Sequence, residues 1–190
     1  MLDHYIEGNQ LTGITEDGFG GMKQLTQHLI DQGHKRIAFM NISNPDYNPW
    51  KYKGFLAALQ ENGLQVAPSH VINVKHTKSD IVDFIDKIMS EPLPPTAIIG
   101  FDDERAIFAK DALIKMGYKI GIDIALAGYG DNAWKKDIDK ELTSIHFDIN
   151  KIGEAATQYL FNDVNAEKGK LITVKTDLMI RKSTAQILSS

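Results

Sequence analysis

The 190-residue chain has no cysteine. That excludes disulfides, iron–sulfur clusters, cysteine-ligated zinc and thiol catalysis. Positive charge is also short: 21 Lys and Arg stand against 25 Asp and Glu, for a formal charge of -4 and a pI near 5.8. A compact nucleic-acid reader usually carries a basic face, often with a pI above about 9. The chain is therefore not expected to read DNA or RNA by itself. No apolar run approaches the roughly 18 residues of a membrane span, and nothing resembles an export leader. A soluble cytoplasmic protein is the expectation.

Catalytic patterns are equally scarce. The six histidines form no HExxH or other close metal-ligand pair, and no serine sits in a GxSxG elbow. The glycines from Asp17 to Gly21 lack the spacing of a phosphate-binding loop and fit a permissive helix start instead. Asp102-Asp103-Glu104 could be read as a metal site, but Asp103 and Glu104 suit a helix N-terminus, where acids stabilise the dipole. No enzyme activity, metal or cofactor is expected.

What is present is an alternation of short apolar runs and amphipathic stretches. Ile37–Met40, Val71–Val74, Ala97–Gly100 and Ile124–Ala127 are strand-length. Most are apolar throughout, as strands covered on both faces are, so a parallel sheet follows. Helices are predicted around Met22–Ile30 (capped by Asp17, closed by Gly33), Phe55–Leu59 (closed by Gly63), Ile81–Met89 (capped by Ser79 or Asp80), Ile107–Met116 (closed by Gly117) and Ile152–Leu160. Further strands are predicted at Thr143–Phe147 and Ile172–Ile180, with a loop at Pro92–Pro95. The repeating βα unit gives an α/β fold with a doubly wound parallel sheet. Met1-Leu2-Asp3 resembles the tail of a strand, which suggests a truncated chain.

In such sheets ligands bind outside the carboxyl ends of the strands. That rule selects Asn44, Asp46, Tyr47, Asn48, Trp50 and Lys51 after the first strand, and His76 and Lys78 after the second. It adds Phe101, Asp102, Asp103 and Glu104 after the third, and Tyr129, Asp131, Asn132 and Trp134 after the fourth. Carboxylates and amides can chelate vicinal hydroxyls, while a flat ring covers the apolar face of a sugar. Both tryptophans of the chain fall in these loops, and a small polyol or sugar fits the chemistry.

Ordered segments along nearly the whole chain resemble the ligand-binding domain of the LacI/GalR family of bacterial transcription regulators. They are Leu29-Ile30-Asp31-Gln32-Gly33-His34-Lys35-Arg36-Ile37-Ala38, Lys53-Gly54-Phe55 with Ala58-Leu59, and Pro95-Thr96-Ala97-Ile98 with Asp102-Asp103 and Ala106. Asp123 to Tyr129, Leu142 to Ile145, Ile152 to Ala156, and Leu178 to Arg181 with Ser183-Thr184 complete the order.

The resemblance implies a periplasmic-binding-protein-like type I architecture with an effector held between two lobes. The implied lobes are a complete C-terminal one (35–144 and 170–190) and a partial N-terminal one (1–34 and 145–169). It also implies a homodimer, and DNA contact only through a helix-turn-helix domain absent from this chain. The effector-binding residues are then expected to be Asp17, Trp50, Lys51, His76, Phe101, Asp102, Asp103 and Asp131. Lys51 stands where the family usually has arginine and cannot offer its planar fork. Gly130 stands where an aspartate is expected, with Asp131 one place later. The competing reading is a periplasmic sugar-binding protein of transport or chemotaxis, which an export leader upstream would support.

Overall fold

The computed structural model describes residues 12–42, 48–74, 77–131, 140–162 and 169–184. β1 (Gly13–Glu16) leads into α1 (Gly18–Asp31), β2 (Ile37–Ile42) into α2 (Pro49–Glu61), and β3 (Val71–Val74) into α3 (Lys78–Met89). β4 (Ala97–Gly100) leads into α4 (Asp103–Lys115), and β5 (Ala125–Gly130) precedes β6 (Thr143–His146). Then come α5 (Ile149–Asn162), β7 (Leu171–Val174) and β8 (Asp177–Met179).

The main sheet has the order β3-β2-β4-β5-β6-β8, all parallel except β8, which runs antiparallel to β6. β1 and β7 pair in parallel as a separate two-stranded sheet. The expected α/β fold with a doubly wound, mostly parallel sheet is what forms.

The apolar runs form these strands because the sheet is covered on both faces, and successive side chains alternate between them. Ala38, Met40, Ile98 and Leu126 pack with Ile81, Ile85 and Ile88 of α3 and Ala106 and Leu113 of α4. Phe39, Ile99, Ala125 and Ala127 face the other way, onto Met22, Leu25 and Leu29 of α1 and Phe55 and Leu59 of α2. Phe39 and Phe55 stack with ring centroids 5.1 Å apart. A smaller core joins Ile14 of β1 to Ile152 and Ala156 of α5.

Several details differ from the sequence reading. The single strand expected over 172–180 is two: 171–174 pairs with β1, and 177–179 crosses to the main sheet beside β6. β1 itself was not foreseen, and β5 begins at Ala125 and continues to Gly130 rather than occupying 124–127. The cap of α3 is Thr77, whose Oγ1 accepts from the Asp80 amide at 3.2 Å, not Ser79 or Asp80. Gly33 and Gly117 follow α1 and α4 with φ of +95° and +92°, as their expected terminating role requires.

The segments also distribute between the sheets differently from the expected lobes. α1, expected with the N-terminal lobe, buries its apolar face on the main sheet. β7, expected with the C-terminal lobe, pairs with β1. The amphipathic stripe of α1 governs the first, because Met22, Leu25 and Leu29 need the large core. Met1–Asp3 lies outside the described residues. Among the described residues no helix is long and apolar enough to cross a membrane.

Candidate functional site

The carboxyl ends of β1, β4 and β5 converge on the first turn of α2. Glu16, the last residue of β1, is 3% exposed. Its carboxylate accepts from Thr15 Oγ1 at 2.5 Å and from Asn48 Nδ2 at 2.8 Å. Lys51 is almost as buried and sets its Nζ 3.8 Å from Glu16 Oε1. The same ammonium lies 4.3 Å from the centroid of the Phe101 ring and 3.8 Å from that of Tyr129. It also donates to the Phe101 carbonyl at 3.4 Å. Stacking on two ring faces stabilises a desolvated cation, and the neighbouring carboxylate offsets its charge.

Asn48 precedes α2 in the left-handed region, at φ +49°, and its side chain makes no cap hydrogen bond. It is turned to Glu16 instead, so the geometry of this corner ties α2 to β1. Tyr129 closes the arrangement by donating from Oη to the Asp17 carbonyl at 3.3 Å. Trp50 neighbours Lys51, with Lys53 Nζ 4.2 Å from the centre of its ring.

The acids at the start of α4 do different work from one another. Asp102 caps the helix by accepting from the Arg105 amide at 2.9 Å, and its other oxygen pairs with the Arg105 guanidinium. Arg105 is itself buried, 5.9 Å from the Phe101 ring centroid. Asp103 points the other way and accepts from Ser144 Oγ of β6 at 2.6 Å. Burial pushes the Asp103 carboxyl above its ordinary value, and the Ser144 hydrogen bond works against that rise. Among the described residues no three His, Cys, Asp or Glu are grouped to hold a metal.

Asp131 directly follows β5 at φ +43°, and its amide donates to Ser144 Oγ at 3.2 Å. Its carboxylate is 2.7 Å from Arg181 Nη1 and 3.6 Å from His146 Nδ1.

Of the eight expected effector residues, Lys51 and Phe101 are in contact, and Asp102 is linked to the Phe101 ring through Arg105. Asp17 joins them through its carbonyl, which accepts from Tyr129, and Trp50 neighbours Lys51 in α2. Asp17 also caps α1, accepting from the Gly20 amide at 2.8 Å. Asp103 and Asp131 belong to an adjoining cluster built on Ser144, Arg181 and His146. His76 lies outside the described residues. Glu16 and Arg105 were missed. A carboxylate closing the run Gly13-Ile14-Thr15 just before a capped helix was the available signal for Glu16, and the i,i+3 spacing from Asp102 was the one for Arg105.

Four buried polar atoms here have no protein partner among the described residues: Asn48 Oδ1, Trp50 Nε1, Asp103 Oδ2 and Arg105 Nε. Buried polar groups are ordinarily satisfied, so their concentration in one region points to a place prepared for polar company. Two open grooves of about 710 and 550 Å³ lie elsewhere, along α5 and between α1 and β8. None of the eight expected residues lines either.

A family model described as a periplasmic binding protein-like domain matches residues 26–184. The chain belongs to that family. The HTH-type transcriptional repressor PurR of Pasteurella multocida is 30% identical over 179 residues, covering 92% of this chain and 54% of that protein. The chain thus spans about half the length of such relatives. A LacI transcriptional regulator from a Rhodococcus species superposes with a TM-score of 0.83 at 23% identity, over 98% of this chain and 69% of that one. A LacI family regulator from Enterococcus faecium with bound ribose gives 0.81 at 21% identity, over 98% and 70%. These likenesses at low identity show the fold.

Proposed function

We propose that this chain is the effector-responsive part of a LacI-type transcriptional regulator and that it binds a small hydroxylated molecule, a sugar or similar polyol. The binding wall is formed by Asp17, Trp50, Lys51, Phe101 and Asp102, with Glu16 behind Lys51. The observation that carries this reading is the buried Lys51 ammonium between Phe101 and Tyr129, beside unpartnered polar atoms of Asn48, Trp50 and Arg105. An aromatic face supplies apolar contact, and the polar atoms set orientation, which is how small-ligand sites are ordinarily built. Asp131, held by Arg181 and His146, supports the rim rather than gripping the effector.

The lobes divide differently from a simple cut in sequence. In this reading β1, α5 and β7 belong to one lobe, and α1 with the main sheet belongs to the other. The chain crosses between them near Asp17, Phe147 and Lys175. Effector contacts that differ between open and closed arrangements bias the equilibrium, as differential affinity must. DNA contact through a further domain, and pairing into a homodimer, complete the proposed regulator. The bound ribose in the Enterococcus faecium structure favours a sugar as effector.

A thermal-shift screen of pentoses, hexoses, disaccharides, their phosphates and purines tests this. A ligand at 100 times its Kd adds about 2.7 kcal/mol of stability. A saturable shift that is lost in Lys51→Ala and Trp50→Ala, both still folded by circular dichroism, supports the site. A shift unaffected by either variant contradicts it.

A further inference from the structure

We infer, on the lobe division proposed above and independently of any effector, that the start of α2 clamps the chain crossing at Glu16-Asp17-Gly18. The clamp sets the angle between the small sheet and the main sheet without any ligand. The small sheet carries its own core of Ile14, Ile152 and Ala156, apart from the two cores of the main sheet. Among the described apolar residues of these cores, Phe147 alone packs against both the small one and a main one. Units that share so little apolar packing move relative to one another by default, so their angle depends on the crossings and on what grips them.

The first crossing is gripped at three consecutive residues. Glu16 closes β1, which pairs with β7 in the small sheet. Its carboxylate accepts from Asn48 Nδ2 at 2.8 Å and faces Lys51 Nζ at 3.8 Å. The Asp17 carbonyl accepts from Tyr129 Oη of β5 at 3.3 Å. A Cβ at Gly18 would stand 2.8 Å from Asn48 Oδ1, so the Asn48 side chain lies directly against the backbone there. Asn48 and Lys51 move with the main sheet, because α2 buries Phe55 and Leu59 in its core.

Asn48 gives up local stability to take this place. Asparagine is among the best helix N-cap residues, yet its side chain makes no cap hydrogen bond, and its backbone is left-handed at φ +49°. Such local costs persist where surrounding contacts over-determine them, and here those contacts are Glu16 and Gly18, both on the crossing. Gly54 of α2 presses on the Phe19 carbonyl just beyond it. A hinge works when a few residues absorb a change in φ and ψ. A short hydrogen bond weakens steeply when bent, so swinging β1 about Asp17 must break the Glu16–Asn48 bond or drag α2 along.

The absence of cysteine lets two introduced thiols report the angle in the full chain. Glu154→Cys on α5 and Lys87→Cys on α3 are exposed positions on the two units. Nitroxides attached there give a distance distribution by double electron–electron resonance. Asn48→Gly deletes the clamping side chain at a φ that glycine adopts freely. Gly18→Ala instead pushes the Asn48 amide off the crossing and covers the case in which Asn48→Gly fails to fold. Neither alters Lys51. A third sample carries two glycines inserted between Lys175 and Thr176, at another crossing.

Without ligand, the labelled parent should give one narrow maximum. In Asn48→Gly and Gly18→Ala, both folded by circular dichroism, the distribution should broaden or gain a second maximum displaced by about 2 Å or more. A distribution unchanged in both, but shifted by the glycine insertion, would overturn the clamp while leaving two lobes. A distribution unchanged in all three samples would mean one rigid body, and would overturn both the clamp and the lobe division beneath it.

Discussion

The Ser144 hydroxyl donates to the Asp103 carboxylate at 2.6 Å and so fastens the first turn of α4 to β6 across the end of β5. The same oxygen accepts from the Asp131 amide at 3.2 Å, placing Ser144 under two acids of the rim. Ser144→Ala removes both bonds and leaves a buried carboxylate oxygen without its donor. It should cost about 1–3 kcal/mol, read as a lower urea midpoint at unchanged m-value. Because burial holds the folded Asp103 pKa above its ordinary value, this group favours folding most in acid. That contribution is lost as pH rises through the raised value.

Two buried histidines give the opposite pH dependence. His28 Nε2 meets Thr184 Oγ1 at 2.9 Å and His34 Nδ1 meets Thr96 Oγ1 at 3.0 Å, and desolvation lowers both pKa values below the ordinary 6.5. The unfolded chain then binds more protons than the folded one below that value. Stability is complete above about pH 6.5 and falls as pH drops from there through the lowered folded values. Melting temperatures measured from pH 7.5 to 5 should decline below 6.5. In His34→Gln, which retains a partner for Thr96, the decline should be shallower, and an identical slope would exclude His34 from the effect.

Gly54 of α2 faces the Phe19 carbonyl and the Lys23 amide of α1, so closely that an added methyl would run into backbone. Gly54→Ala gains helix propensity of about 1 kcal/mol. Overpacking of the α1–α2 contact costs roughly 1–3 kcal/mol, and more where only backbone can yield. Net destabilisation is expected in chemical denaturation, whereas the same change at Gly153, which has open space around it, should be neutral or stabilising.

Lys51 and Glu16 should show strong coupling. Lys51→Met leaves the buried Glu16 carboxylate without its cation and should cost about 3 kcal/mol or more. The double variant with Glu16→Gln should recover part of that loss. A double-mutant cycle in urea measures the coupling, and additive losses would mean that the pair contributes nothing to folding.

The main sheet was legible because β2, β4 and β5 are apolar on both faces, and the pattern of burial is written directly in the composition. β1 escaped notice because Gly13-Ile14-Thr15-Glu16 is short and ends in an acid, yet that acid anchors the site. Residues 172–180 read as one strand because nothing apolar or conformational marks Lys175-Thr176, where the chain passes from one sheet to the other. The cap of α3 was misplaced within Thr77-Lys78-Ser79-Asp80 because three of those residues can cap, and only backbone geometry chooses. The strand-end rule and the family resemblance put Lys51 and Phe101, which the structure brings into contact, in one candidate set. They could not show that Asp103 turns inward to Ser144 or that Asp131 is engaged by Arg181 and His146, since those partners lie far along the chain.

The claim that Trp50, Lys51, Phe101 and Asp102 form one effector wall is tested most directly by Trp50 fluorescence in a Trp134→Phe background, which leaves one tryptophan to report. Titration with a sugar found in the thermal screen should give a saturable change in emission whose Kd equals the calorimetric value. The change should vanish when Lys51→Ala is added. Calorimetric saturation with Trp50 emission unmoved throughout would place the ligand elsewhere and contradict the account.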